Sequence, residues 1–174
     1  MSTLRLAGVI NESIVDGPGI RMTVFVQGCP HRCEGCHNSH TWSFDGGYDL
    51  EVDDIIKTAA KNPLLKGLTL SGGEPFSQAK ALSELAQKAH DIGLDIFTYS
   101  GYTFEEIIAS EDPDWKALLE QSDYLVDGRF DLSQKSLELR FRGSKNQRVL
   151  DVKKSLAEGC AVLSEYNRDH VPRL

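Results

Sequence analysis

Residues 22–38 read Met-Thr-Val-Phe-Val-Gln-Gly-Cys-Pro-His-Arg-Cys-Glu-Gly-Cys-His-Asn. The β-branched and aromatic content of 22–27 predicts a strand, which Gly28 ends immediately before the first cysteine. The spacing Cys29-x3-Cys33-x2-Cys36 lets one short loop direct three thiolates at a single centre. Three local ligands without a fourth suit a 4Fe-4S cluster with one iron open to substrate, whereas an electron-transfer cluster usually has four. Structural zinc is the competing reading, because His31, His37 and His40 lie close enough in sequence to complete a tetrahedral set. Such zinc sites normally join two separated ligand pairs, and no second pair is visible, so the spacing favours iron-sulfur. Cys160, in Gly-Cys-Ala-Val-Leu, reads as a small buried apolar residue.

Outward from this loop, strand-like runs alternate with helical periodicity. Residues 51–60 place Val52, Ile55, Ile56, Ala59 and Ala60 on one helical face, and Asn62-Pro63 stops the helix. A strand at 67–70 precedes a helix over 77–91, with Ala79, Leu82, Leu85, Ala86 and Ala89 at helical spacing and Gly93 beyond its end. After a strand at 94–98, Thr103 and Glu106 form a capping box, and Asp112-Pro113 opens a helix carrying Trp115, Leu118 and Leu119. A strand is expected at 124–126, another at 147–150, and a last helix at 151–158 ending at Gly159; the rest of 129–148 fits no element. This order predicts an α/β fold with right-handed crossovers and parallel strands, whose carboxyl ends share the rim where ligands gather.

Four segments begin where predicted strands stop: the cysteine loop, Ser71-Gly72-Gly73-Glu74-Pro75, Tyr99-Ser100-Gly101 and Asp127-Gly128-Arg129. Paired glycines let the backbone approach a ligand; they also suit a plain strand-to-helix turn with Glu74 at a helix N-terminus.

Length and composition limit the remaining choices. The 174 residues, 40% hydrophobic and 26% charged, suit a single domain over 1–174. An excess of 26 acidic over 19 basic side chains argues against a nucleic-acid partner. The N-terminus lacks a secretory pattern and no apolar run approaches the ~20 residues of a membrane span, so the expected location is cytoplasmic, with no membrane partner. Clustered thiols in that reducing setting suggest a metal site. Arg129, Lys135, Arg140, Arg142, Lys145 and Arg148 face only Asp131 and Glu138 in the unassigned segment, which reads either as a solvated face or as a cofactor or partner surface.

The cysteine motif resembles that of the radical SAM superfamily. Asp16-Gly17-Pro18-Gly19-x-Arg21, Phe25, Gly28-Cys29, the three cysteines, Asn38 and Trp42 together resemble the signature of glycyl-radical-activating enzymes. Phe141-Arg142-Gly143-Ser144-x-Asn146-Gln147-Arg148 and Asp151 are similar to the subgroup acting on anaerobic ribonucleoside-triphosphate reductase. Many superfamily members carry an aromatic residue before the third cysteine, where this chain, like reductase activators, has Gly35. The resemblance implies the radical SAM fold, an incomplete TIM-type β/α barrel with a mostly parallel sheet; the chain is shorter than the ~250 residues typical of a closed barrel.

The same resemblance implies one 4Fe-4S cluster on Cys29, Cys33 and Cys36. It implies S-adenosyl-L-methionine held by Ser71, Gly72, Gly73 and Glu74, with Glu74 taking the ammonium, and by Tyr99, Ser100, Asp127 and Arg129 at the same rim. Thr98 and Arg129 stand where the pyruvate formate-lyase-activating enzyme has an Asp and a Lys. The implied activity is reductive cleavage of the cofactor to a 5'-deoxyadenosyl radical that forms a glycyl radical on the reductase. An electron donor such as flavodoxin is implied, and no catalytic side chain beyond the cluster and cofactor ligands. The alternatives are activation of another glycyl-radical enzyme such as pyruvate formate-lyase, and a non-enzymatic zinc or iron-sulfur module.

Overall fold

The computed structural model describes residues 2–169. Its elements run β1 (Thr3–Ser13), β2 (Arg21–Val26), β3 (Tyr48–Glu51), α1 (Val52–Ala60), β4 (Gly67–Gly72), α2 (Ala79–Asp91), β5 (Asp95–Tyr99), α3 (Phe104–Ala109), α4 (Pro113–Gln121), β6 (Tyr124–Asp127), β7 (Arg148–Asp151) and α5 (Val152–Glu158). The strands form one sheet in the order β3-β1-β2-β4-β5-β6-β7. The central β2, β4, β5 and β6 are parallel, as their crossovers require. At the edges β1 pairs antiparallel with β2 and β3, and β7 antiparallel with β6. No α-helix lies between β6 and β7, so the chain returns in the opposite direction.

Side chains alternate across each strand and give the sheet two unlike faces. Met22, Val24, Val26, Leu68, Leu70, Ile96, Leu125 and Leu150 belong to the main core with Ile55, Leu82, Leu85 and Leu118 of the helices. Leu82 and Leu85 are completely buried, each contributing about 2 kcal/mol by the area removed from water. Arg21, Thr23 and Phe25 of β2, Thr69 and Ser71 of β4, and Phe97 and Tyr99 of β5 alternate onto the opposite face. A smaller cluster there joins Phe97, Val126 and Val149 to Tyr99, Tyr124, Phe141 and Tyr166. Helices on one face and polar residues on the other make an incomplete β/α barrel: outer wall on one side, lumen on the other.

Arg21 fastens the amino end of this lumen. Fully buried, it donates from Nε to Thr69 Oγ1 at 2.8 Å, from Nη1 to Pro18 O at 3.0 Å, and from Nη2 to Leu68 O at 2.9 Å and Asp95 Oδ1 at 2.5 Å. Three strands and the 16–19 turn thus meet on one guanidinium.

Local chemistry ends the elements where the sequence signals it. Thr103 and Glu106 close a capping box on α3, Asp112 caps α4 with Pro113 in its first turn, and Asp151 caps α5. Gly159 ends α5 in the left-handed region, and Cys160, expected to be buried, is exposed just beyond this turn. Among the described residues, no helix is long and apolar enough to cross a membrane.

Candidate functional site

The cysteine loop leaves the carboxyl end of β2 and is closed by the segment after it. Gly28 N–H donates to Thr41 O at 2.6 Å and Cys29 N–H to Trp42 O at 3.1 Å. Arg32 and Gly35 adopt φ of 51° and 77°, which curls the loop back on itself. A Cβ at Gly35 would also lie 2.8 Å from Leu132 Cδ1, so both backbone and space call for glycine here.

All three thiols of the loop are part-buried and free of disulfides, and all three line one cavity of about 520 Å³. That volume lies within the roughly 300–1,000 Å³ usual for small-molecule sites. Ser71, Gly72, Gly73, Tyr99 and Ser100 line the same cavity, so two separate sequence motifs and the end of β5 converge. Asp16 and Val15 of the turn before β2 border it too. Asp16 Oδ2 is held by the hydroxyls of Ser13 at 2.8 Å and Thr23 at 3.3 Å.

Burial pushes the Cys29 thiol above its ordinary pKa, opposed by the backbone N–H of His31 and reinforced by the charge of Glu74. Burial likewise raises Cys33, opposed by a hydrogen bond from the Phe130 backbone. These thiols hold their protons until a metal displaces them. Among the described residues, no three His, Cys, Asp or Glu side chains surround one point closely enough for a single metal ion. A cluster instead gives each thiolate its own iron. His31 is bonded to Glu74 at 2.6 Å and His37 packs edge-on against Phe130 at 5.7 Å, and both border the cavity that the three thiols share.

The glycine motif lies directly against the cysteine loop. Gly73 N–H donates to Val26 O and Glu74 N–H to Gly28 O, both at 2.8 Å. A Cβ at Gly73 would sit 2.2 Å from Gly28 O.

Glu74, Asp127 and Arg129 lie near this rim and outside the cavity lining. Glu74 is fully buried: Oε2 accepts from Phe76 N–H at 2.8 Å, Oε1 from Gly101 N–H at 2.8 Å, and the Ser100 hydroxyl reaches both at 3.0 Å. Its oxygens are taken by the protein's own donors, which places it behind the wall that Ser100 presents. Asp127 accepts from Phe104 N–H at 2.8 Å at the start of α3 and pairs with Arg148 Nε at 3.0 Å. Arg129 is exposed, pairs with Glu106 at 3.4 Å and lies over the Tyr102 ring at 5.8 Å. Thr98 points to the helical face and shares a 2.7 Å hydrogen bond with Ser122.

Two residues outside the proposed ligand set complete the site. Among the described residues, the buried side-chain nitrogens or oxygens without a hydrogen-bond partner are Trp42 Nε1 and Arg142 Nε, and both residues line the cavity. Arg142 donates elsewhere to Gln147 O at 3.1 Å and Arg168 O at 3.4 Å, while desolvation pushes its pKa down. A buried donor left unmet costs ~1–3 kcal/mol, so a ligand bringing acceptors, above all a carboxylate, is favoured here. Trp42 belongs to the resembled signature and Arg142 to the resembled 141–148 stretch, but among six basic residues in an irregular segment no periodicity marks Arg142 as the one at the cavity. Three thiols, close backbone approach and unmet donors fit a cluster beside a carboxylate-bearing cofactor.

Fold and site together define an iron-sulfur protein, and residues 15–150 match the 4Fe-4S single cluster domain family. The chain is 42% identical to the anaerobic ribonucleoside-triphosphate reductase-activating protein of Vibrio cholerae over 142 residues, covering 77% of this chain and 89% of that one. It is 36% identical over 144 residues to the protein of the same description from Haemophilus influenzae, with coverage of 77% and 89%. Among solved structures, QueE from Escherichia coli aligns with a TM-score of 0.46 and 16% identity over 58% of this chain and 54% of that one. The chain belongs to the family of anaerobic ribonucleoside-triphosphate reductase-activating proteins.

Proposed function

We propose that this chain activates anaerobic ribonucleoside-triphosphate reductase, a reading carried by the three cysteine thiols that share one cavity with the glycine-rich end of β4. When bound, a 4Fe-4S cluster supplies the electron that cleaves S-adenosyl-L-methionine to methionine and a 5'-deoxyadenosyl radical, which takes a hydrogen atom from a glycine of the reductase.

The chain's own residues hold and enclose these groups. Cys29, Cys33 and Cys36 would each hold one iron. Ser71, Gly72 and Gly73 would bring backbone against the cofactor, and Trp42 and Arg142 would offer it their unmet N–H groups. Arg142 takes the part that sequence position suggested for Arg129. Tyr99 donates its hydroxyl to Phe141 O at 2.8 Å, and desolvation drives its pKa far above the ordinary phenol value. It therefore serves as a neutral wall and not as an acid. Glu74 holds Ser100 and Gly101 in place, and Asp127 and Arg129 brace the rim through Arg148 and Glu106.

The chain works in the cytoplasm with a one-electron donor such as flavodoxin. Its formal charge of -7 supports a protein partner over nucleic acid.

The test is anaerobic reconstitution followed by S-adenosylmethionine, reductant and either the reductase or pyruvate formate-lyase. A glycyl-radical doublet in electron paramagnetic resonance is expected with the reductase alone. An equal signal on pyruvate formate-lyase would refute the partner assignment, and a colourless zinc protein would refute the chemistry.

A further inference from the structure

His31 stands between two cluster ligands in Cys29-Pro30-His31-Arg32-Cys33, and its side chain is bonded to a carboxylate from beyond β4. The side chain is 5% exposed, and Nε2 lies 2.6 Å from Glu74 Oε1. Its ring packs edge-on against Tyr102 at 4.5 Å. Gly101 leaves the space for it, since a Cβ there would lie 2.4 Å from His31 Cδ2.

Glu74 is the other half of the junction. The same carboxylate binds the Gly101 N–H and the Ser100 hydroxyl at the end of β5, and the Phe76 N–H after β4. One fully buried group thus joins the middle of the cysteine loop to two strand ends. Other hydrogen bonds hold the flanks of this loop: Cys29 N–H to Trp42 O on one side, Asn38 N–H to Cys36 Sγ on the other. Between them, His31 is nearly closed off from water and borders the same cavity as Cys29, so it covers the loop at its first ligand. Solvent exposure is among the factors that set a cluster's reduction potential.

We propose that His31 is a positioning residue: anchored by Glu74, it locks the Cys29–Cys33 half of the loop to the ends of β4 and β5 and keeps water from the Cys29 side of the site. The proposal rests on the cluster assignment made above. It gives Glu74 a role in the resting cluster, before any cofactor binds. It also explains why an acidic side chain is fully buried beside a glycine-rich turn: its partner comes from the cysteine loop.

The test uses reconstituted protein without S-adenosylmethionine and compares His31→Ala, His31→Gln, Glu74→Ala and the His31→Ala/Glu74→Ala double variant. Iron and sulfide are counted first, and the midpoint potential is then measured by redox titration with electron paramagnetic resonance detection. Both single Ala variants should raise the potential, because water admitted beside Cys29 then stabilises the more highly charged reduced cluster. The double variant should shift it no further than the larger single effect, the non-additivity of two groups in one contact. His31→Gln, which retains a side-chain N–H donor, should recover most of the wild-type value. Additive shifts, an unshifted His31→Ala protein with a full cluster, or a Gln variant identical to Ala would each overturn the proposal.

An apoprotein arm separates this proposal from the cluster assignment. Iodoacetamide should alkylate Cys29 several-fold faster in folded His31→Ala and Glu74→Ala apoproteins than in wild type. Absence of iron from the wild type refutes the assignment, whereas equal alkylation rates refute the latch. If Glu74→Ala does not fold, the His31→Ala and His31→Gln pair decides the matter on both readouts.

Discussion

Replacing Gly73 by alanine would place a methyl carbon 2.2 Å from the Gly28 carbonyl oxygen and 2.8 Å from the carbon that bears it. Gly73 is not in the left-handed region, so the cost comes from contact alone. Ordinary contact begins at 3.4 Å, and the surfaces must therefore separate by about 1.2 Å. The opposing atom is backbone, anchored by Gly28 N–H on Thr41 O at 2.6 Å, and cannot rotate aside. A shift of that size would stretch the 2.8 Å bond from Glu74 N–H to Gly28 O to about 4 Å and break it. Overpacking at ~1–3 kcal/mol and loss of a hydrogen bond at ~0.5–1.5 kcal/mol give about 2–4 kcal/mol. At ~2–4 °C per kcal/mol for a chain of this size, the apoprotein Tm should fall by about 4–16 °C. Thermal unfolding followed by circular dichroism measures this, with Gly8→Ala as the control because nothing lies within 4 Å of its Cβ position. Iron uptake should fall together with Tm. A Gly73→Ala protein that melts within ~2 °C of wild type and takes up full iron would show that the close approach of β4 to the cysteine loop is not required.

Cys29→Ala, Cys33→Ala and Cys36→Ala should each lose iron, sulfide and the brown absorbance, while exposed Cys160→Ala keeps them; loss confined to Cys160→Ala would defeat the ligand assignment. Arg21→Ala removes four hydrogen bonds from a fully buried side chain and leaves Asp95 without its ion-pair partner, so chemical denaturation should show about 3–5 kcal/mol less stability. A change under ~1 kcal/mol would mean that the 16–19 turn and β5 do not depend on it. Arg142→Gln should keep the cluster but weaken S-adenosylmethionine binding roughly 10-fold to 100-fold in anaerobic equilibrium dialysis, the loss of one charged hydrogen bond. Arg129→Gln, outside the cavity, should change that affinity by less than about threefold; the reverse ranking would assign the carboxylate to Arg129.

Local signals made most of the fold readable. The central strands and all five helices follow from apolar periodicity and from caps such as Thr103–Glu106 and Asp112-Pro113. β1 escaped because only Leu4, Leu6 and Ser13 of its eleven residues are buried, and Gly8 and Asn11 interrupt the pattern. The four residues of β3 are mostly exposed and pair with β1, more than forty positions earlier in the sequence. The site divides in the same way. The cysteines and glycines were readable because loop spacing and strand ends are local properties. The facing of Glu74 was not, since His31 and Ser100 lie 43 and 26 residues away and meet it only through the sheet order. Asp127 and Arg129 also lie at a strand end, but whether such a side chain faces the lumen depends on partners such as Arg148 and Glu106.

The lumen face shows why this sheet is more than a support for helices. A parallel strand covered only for stability reads apolar on both sides. β2 and β4 instead alternate Met22, Val24, Leu68 and Leu70 toward the helices with Arg21, Thr23, Thr69 and Ser71 toward the lumen. Their polar groups near the amino end satisfy one another: Thr69 donates its hydroxyl to Asp16 O at 2.5 Å and accepts from Arg21 at 2.8 Å. At the carboxyl end the pairing is incomplete, and the unmet N–H groups of Trp42 and Arg142 border the same cavity as Ser71 and the three thiols. Desolvation without a partner is unfavourable for each such group, so an arrangement that concentrates them at one end of a polar lumen is stabilised by a ligand arriving there. The helix-covered face accounts for stability without that ligand; the lumen face makes chemical sense only with it.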